Sequence, residues 1–214
     1  MAGGSSDPSS LINKAAKAAL APLGARRKGR SRFWYVDNGW YVTGIEFRPA
    51  SYAQGAGLTL GVGWLWIPKE TWSFDVLLQH DAHVAFDTVD RFAPEIARMA
   101  ERAAGYVRST ADRLQSLHKA YAATQPTDAP GNWAHVHSGV LAALLHKTDA
   151  AVGHLNEALG PTDGIAWRVE RNAFCQELLA LLSDGEDCRA LIEARIRKGR
   201  DLLALPARAE PVLP

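Results

Sequence analysis

Several features that would point directly to a function are scarce in this 214-residue chain. It contains two cysteines, Cys175 and Cys188, and the expected helices place them at different distances from the turn between them. A disulfide is therefore not predicted. Two cysteines without histidines at ligand spacing also make a poor zinc site. The apolar runs all fall short of the ~18 residues that a membrane-spanning helix requires.

The chain also has no large excess of positive or negative charge. The chain has 24 Lys and Arg against 23 Asp and Glu, which gives a formal net charge of +1. A role in binding nucleic acid or acidic proteins would therefore need a local patch. The first ten residues, MAGGSSDPSS, lack the basic and apolar regions of a secretory signal. We expect a cytoplasmic protein that has no membrane partner, with enough apolar residues, 47%, to build a sizeable core.

Motifs that carry catalysis are not recognisable. We find no Ser/His/Asp order, no phosphate-cradling glycine loop and no nucleophile elbow. The segment HDAH at 80–83 has histidines that would point to opposite faces of a strand, and His135 and His137 face apart on a helix. We therefore predict no metal and no cofactor. We favour a non-catalytic protein, with catalysis left open.

The N-terminal part of the sequence predicts a helix and an antiparallel sheet. Residues 9–21 form an amphipathic pattern that Ser9 or Ser10 would cap. Aromatic and β-branched runs at 32–36 and 40–48 flank Asp37-Asn38-Gly39, and Asn-Gly is a strong signal for a tight hairpin. Two further runs predict a third strand at 58–66 and a fourth, in one or two pieces, within 73–86.

The C-terminal part predicts helices. From Asp90 to Tyr121 apolar residues recur every three or four positions, which predicts one long helix that Gly105 kinks or splits. Four more helices are expected at about 132–146, 149–159, 164–183 and 186–204. Strands followed by helices indicate an α+β fold, with an antiparallel sheet covered by the first helix and then an all-α region. The predicted divisions are a flexible tail 1–8, a sheet domain 9–86, a helical region 87–205 and a Pro-rich tail 206–214.

In one stretch, GLTLGVGWLW at 57–66, large apolar residues alternate with residues that are mostly small. Gly61 and Gly63 share its sparse face, and Gly44 lies in the middle of the preceding strand. Glycine weakens a strand, so something should approach closely there. The candidates are helix 9–21 packing flat, a cross-strand aromatic ring lying over the gap, or a ligand in a shallow trough. Such a trough would be edged by Trp40, Glu46 and Arg48, of which Glu46 is the plausible acid or base.

A basic run lies just before the aromatic strand Phe33-Trp34-Tyr35. It consists of Arg26, Arg27, Lys28, Arg30 and Arg32. Three interpretations remain open: residues 26–35 bind single-stranded nucleic acid, the cations meet an acidic protein, or they form a solvated loop that protects an edge strand. Among the tryptophans, we expect Trp64 and Trp66 in the core and Trp40, beside the hairpin turn, as an exposed anchor.

The segment WAHVHSGVLAALLHKTDAAVGHLNEALGP at 133–161 resembles one tetratricopeptide unit. Gly139, Ala151 and Ala158 occupy its small positions, and Leu155 occupies its bulky position. The resemblance implies two helices that approach closely. A lone unit cannot bury its own faces, so it would pack between unlike helices.

The segments LAPLGARRKGRSRFWY at 20–35 and LTLGVGWLW at 58–66 resemble small bacterial domains of unknown function. These domains are often linked to toxin–immunity or defence loci, and they have an aromatic residue where this chain has Ala25. The resemblance implies an interaction protein that serves as an accessory component in bacterial immunity or defence. The residues described above also favour an interaction protein. The expected partner-binding residues are Arg27, Arg30, Arg32, Trp40, Trp133 and His137, the last two in a helical groove with Gln125.

Overall fold

The computed structural model describes residues 7–124, 132–208 and 212–214. The described residues form an α+β protein in which the sheet precedes most of the helices. Its strands are β1 (Arg26–Arg27), β2 (Phe33–Asp37), β3 (Tyr41–Arg48), β4 (Gly55–Trp64), β5 (Val76–His80) and β6 (Val84–Ala85). Its helices are α1 (Pro8–Leu20), α2 (Val89–Arg113), α3 (Leu117–Ala123), α4 (Trp133–Leu144), α5 (Thr148–Ala158), α6 (Ala166–Ser183) and α7 (Arg189–Leu202).

Contacts divide the chain into two compact units. The first contains the described residues up to Leu65 together with Glu70–Asp112. The second contains Trp66–Lys69 and the described residues from Arg113 onward. We predicted a boundary after residue 86, but α2 belongs with the sheet because its apolar stripe packs into the same core.

Helix α1 begins at Pro8, and its N-cap is Asp7. The Asp7 carboxylate accepts a hydrogen bond from the Ser9 backbone N–H at 3.2 Å. The predicted Ser9 or Ser10 cap is wrong by two or three residues, because Pro8 has no N–H to satisfy and suits the first helical position. The helix ends in a 3₁₀ turn followed by Gly24, whose φ of 76° reverses the chain.

The sheet is antiparallel, with strand order β1-β2-β3-β4-β5 and with β6 paired to β4. The predicted hairpin of β2 and β3 is confirmed. Gly39 provides the left-handed backbone of its turn, with a φ of 92°, and its N–H donates to Asp37 Oδ1 at 3.0 Å. The fourth predicted strand is present as two pieces, β5 and β6.

One face of the sheet forms the core of the first unit with α1 and α2. Its buried residues from the strands are Trp34, Ile45, Phe47, Ala56, Leu58 and Leu60, and from the helices they include Ile12, Ala16, Leu20, Phe92, Ile96 and Met99. Burying each large apolar side chain contributes about 1.5–3 kcal/mol. The predicted cover by the first helix is confirmed, and α2 shares that role.

The predicted single helix from Asp90 to Tyr121 is in fact two helices. Gly105 lies inside α2, and the break falls between α2 and α3. Ser116 is extended there, with φ −145° and ψ 159°, and its hydroxyl accepts from the Lys119 N–H at 3.3 Å. This cap starts a new helix. The four later helices are confirmed close to their predicted bounds.

In the second unit, α4 and α5 form a closely packed antiparallel hairpin. A Cβ added at Gly139 would lie 2.8 Å from the Leu155 side chain, and Ala151, Leu155 and Ala158 are fully buried. The tetratricopeptide resemblance implies such a close approach of two helices. Membership of that family stays a prediction.

Both cysteines are free and buried, so the prediction of no disulfide is confirmed. Near the C-terminus, Leu213 is buried and the Arg200 guanidinium donates to the Pro206 carbonyl at 2.8 Å. The described part of the Pro-rich segment therefore packs on its own unit. Within the described ranges, no helix has both the length and the apolar character needed to cross a bilayer.

Candidate interaction surface on the glycine face of the sheet

The glycines of β3 and β4 lie side by side, as the alternation predicted. Gly44 is directly opposite Gly61, and Val42 is opposite Gly63. Two facing glycines leave a shallow depression in the sheet surface, since neither contributes a side chain. The depression lies on the face opposite the core that α1 and α2 cover.

The ring of Phe74 fills this depression. A Cβ at Gly44 would lie 2.5 Å from Phe74 Cε1, and a Cβ at Gly61 would lie 2.4 Å from Phe74 Cγ. The predicted ligand trough at Gly44, Gly61 and Gly63 is therefore wrong. Helix 9–21 packing on the glycines is also wrong, because α1 lies on the other face. One alternative, a cross-strand ring over the gap, is found at Gly44, where an added Cβ would lie 2.8 Å from Cζ of Phe33 on the neighbouring strand β2. The Phe74 ring, in contrast, comes from the segment between β4 and β5 and was not predicted.

Phe74 belongs to a group of four rings that we call the aromatic layer, formed by Phe33, Tyr35, Trp72 and Phe74. Trp72 contacts Phe33 edge-on, with centroids 5.2 Å apart, and lies 4.6 Å from Tyr35. Phe33 and Phe74 stack at 6.1 Å. All four rings are half-buried. They therefore form a continuous surface that still reaches solvent.

The strand register explains why the layer forms here. Tyr35 is directly opposite Gly44, so its ring has no cross-strand neighbour on β3. Trp72 and Phe74 come from the segment between β4 and β5 and turn their rings onto the vacant area. Neither Trp72 nor Phe74 was predicted as a site residue. The signal was present, since TWSFD alternates aromatic and polar residues between two strands.

Positive charge borders the aromatic layer. The Lys28 ammonium lies 5.5 Å from the centroid of the Trp72 ring, in a cation–π contact. Arg26 and Arg30 are exposed nearby in sequence. Glu46 is half-buried and directly opposite Phe33, so the border also contains one carboxylate.

Arg27, Arg32 and Arg48 make local contacts instead. Arg27 donates to the carbonyls of Ser31 and Arg30, each at 2.6 Å. Arg32 donates to the Gly55 carbonyl at 2.6 Å and to the Ser9 hydroxyl at 2.7 Å. The Arg48 guanidinium lies across Gly57, where an added Cβ would be 2.9 Å from it. These arginines fix their loops and strands, which leaves Lys28, Arg26 and Arg30 as the exposed cations of the basic run.

Trp40 is 4% exposed, so its prediction as an exposed anchor is wrong. Its ring packs 5.1 Å from Tyr41 and 5.4 Å from Trp64, because the hairpin turn folds it inward. Burial raises the pKa of Tyr41 in this cluster to about 12. The predicted core positions of Trp64 and Trp66 are confirmed.

A second aromatic group lies in the helical unit. His137 is 1% exposed and accepts a hydrogen bond from Trp66 Nε1 at 3.2 Å, so its prediction as a partner contact is wrong. Trp133 is half-buried and stacks on His137. Trp167, which was not predicted as a site residue, lies 5.9 Å from Trp133 and is 40% exposed. Gln125 lies outside the described residues.

Within the residues that the structure describes, no group of three or more His, Cys, Asp or Glu side chains is placed to hold a metal ion. The chain matches no protein-family model, no curated protein and no solved structure at a significant level. The resemblances to a tetratricopeptide unit and to small bacterial defence-linked domains are therefore untested, and they stay predictions.

Proposed function

We propose that this is a non-catalytic interaction protein whose sheet unit binds another protein through the aromatic layer. The observation that carries the proposal is the contrast between the two faces of the sheet. One face is sealed by α1 and α2, whereas the other presents four half-buried rings. Clustered Trp, Tyr and Phe side chains that remain accessible are typical of binding hot spots.

The charges beside the rings favour an acidic partner. Lys28 lies against Trp72, and Arg26 and Arg30 are exposed on the same loop and strand. A partner segment with apolar side chains for the rings and carboxylates for these cations would complement the surface. Removal of the cations is expected to slow association more than it speeds dissociation, because exposed charges act mainly on encounter.

The filled depression favours protein binding over an enclosed small-ligand site. Phe74 occupies the space above Gly44 and Gly61 that a ligand would need. Glu46, the acid or base of the enzymatic alternative, lies at the border of a packed aromatic surface. The arrangement therefore suits a broad contact with another chain.

The test is an affinity capture from the source cells, with nuclease added to remove bridging nucleic acid. We expect the native protein to retain a partner that the Trp72→Ala and Tyr35→Ala variants lose. Trp167→Ala is the matched control, because it removes an exposed tryptophan from the other unit. The captured partner is then purified and its dissociation constant measured with each variant. A partner that binds the two layer variants as tightly as the native protein would contradict the proposal.

The nucleic-acid alternative is an outcome of the same experiment. The native protein is titrated with a dT oligonucleotide at two salt concentrations. We expect no binding at moderate salt. Tight binding that falls steeply with salt and is lost in Lys28→Ala would assign the surface to single-stranded nucleic acid and overturn the protein-binding proposal.

A further inference from the structure

Two histidines face each other across the α4–α5 hairpin. The ring centroids of His135 and His154 are 5.7 Å apart, with planes inclined by 53°. Two imidazoles bound to one tetrahedral metal ion through ~2.0–2.1 Å bonds have centroids roughly 5–6 Å apart. The observed centroid distance of 5.7 Å falls within that range.

The hairpin holds the two rings at the same level. Asn132 Nδ2 donates to the Glu157 carbonyl at 2.9 Å. His135 lies three residues after Asn132, and His154 lies three residues before Glu157. Because the two helices are antiparallel, both histidines are about one helical turn from this hydrogen bond, in the same direction along the hairpin. The close packing of the hairpin at Gly139 fixes the two backbones. Ligands on rigid helices need little rearrangement to bind.

The chemical state of the rings suits metal binding. His135 Nδ1 is enclosed and makes no hydrogen bond to any residue that the structure describes, an arrangement that is unfavourable for a polar atom. Both side chains are half-buried, so solvent still reaches the pair.

We propose that His135 and His154 form a two-imidazole site for a divalent late transition-metal ion, with water completing the coordination. Imidazole ligands suit copper, nickel and zinc, and the general affinity order places copper(II) first. This site is independent of the aromatic layer, so either proposal can fail without affecting the other.

The first test is a calorimetric titration of the full chain with copper(II) chloride and with nickel(II) chloride, and with magnesium chloride as a negative control. We expect one copper ion per chain to bind, and nickel to bind more weakly. His135→Ala and His154→Ala should each weaken copper binding at least tenfold. His118→Ala and His80→Ala are matched controls, because both histidines are exposed and lie on other elements. Equal copper affinity in the His135→Ala/His154→Ala double variant would overturn the proposal.

A second measurement needs no variant. Substoichiometric copper(II) broadens the NMR signals of nearby protons, so the ring signals of His135 and His154 should broaden before those of the other five histidines. Broadening that begins at another histidine would overturn the assignment, even if a variant failed to fold.

Discussion

The aromatic layer depends on residues that lack a side chain. Gly44 and Gly61 let the Phe74 ring lie directly on the sheet, closer than any Cβ would permit. The sequence indicated that something approaches these glycines, because glycine in the middle of two neighbouring strands is otherwise unfavourable. It did not indicate which residue, since Phe74 reaches them from a loop and local periodicity does not determine where a loop ring packs.

Gly61→Ala is expected to destabilise the protein by about 1–3 kcal/mol, because the new methyl group would meet the Cβ and the base of the Phe74 ring. Urea unfolding measures the change. In the Phe74→Gly background, which removes the Cβ as well as the ring, the same substitution should cost much less. Gly105→Ala is the control, since nothing lies within 4 Å of a Cβ there. An equal cost of Gly61→Ala with and without Phe74 would show that the ring does not lie on the glycine.

Cys175 should be unreactive in the native protein. Burial raises the pKa of its thiol to about 11, although Arg171 and Arg195 act in the opposite direction. At pH 8 about one thiol in a thousand is then ionised, and the side chain is also enclosed. Native protein mixed with a thiol-specific disulfide reagent should therefore react only after urea is added. Rapid labelling of native Cys175 would contradict its enclosed position.

Tyr41 should make stability depend on alkaline pH. Burial raises its pKa from 10.0 to about 12, so between these values the folded protein keeps a proton that the unfolded chain releases. The contribution of the protonated Tyr41 to the free energy of unfolding is fully present below pH 10. It falls as the pH rises, and the loss reaches about 2–3 kcal/mol near pH 12. The free energy of unfolding of native protein and Tyr41→Phe, compared from pH 9 to 12, measures this. Parallel curves for the two proteins would contradict it.

Among the elements, the α4–α5 hairpin has two glycines in contrasting surroundings. Gly139 has no room for a Cβ, because Leu155 would lie 2.8 Å away, whereas nothing lies within 4 Å of a Cβ at Gly153. Gly139→Ala should therefore destabilise the protein by about 1–3 kcal/mol. Gly153→Ala should stabilise it by about 0.5–1 kcal/mol, through helix propensity. Thermal unfolding of both variants decides this, and a stabilising Gly139→Ala would exclude close packing at that turn.

Helices and strands with strong periodicity were predicted well, and their ends less well. The β2–β3 hairpin follows from Asn-Gly between aromatic runs, and α4 to α7 follow from apolar spacing with turn residues between them. The break before α3 was not predicted, because the apolar spacing continues through it. A capping box would have Glu or Gln three residues after Ser116, but this position is Lys119. The sequence around Ser116 therefore does not indicate that a helix starts there.

For the whole molecule, the α+β class was predictable and the division into units was not. The order of strands and helices gives the class. The assignment of α2 to the sheet unit, and of Trp66–Lys69 to the helical unit, depends on long-range packing that no local pattern contains. The same limit applied to function. Trp40 and His137 were predicted as contact residues but are buried, whereas Trp72 and Trp167 are partly exposed. Exposure is a property of the folded chain, so the sequence did not reveal it.

The most direct test of the proposed function is fluorine NMR of protein labelled with 5-fluorotryptophan, recorded with and without the captured partner. Trp72→Phe assigns the Trp72 signal, and Trp34, buried on the opposite face, is the internal reference. The aromatic layer predicts that the partner shifts or broadens the Trp72 signal and leaves the Trp34 signal unchanged. An unchanged Trp72 signal at saturating partner, with a shift at Trp167 instead, would contradict it.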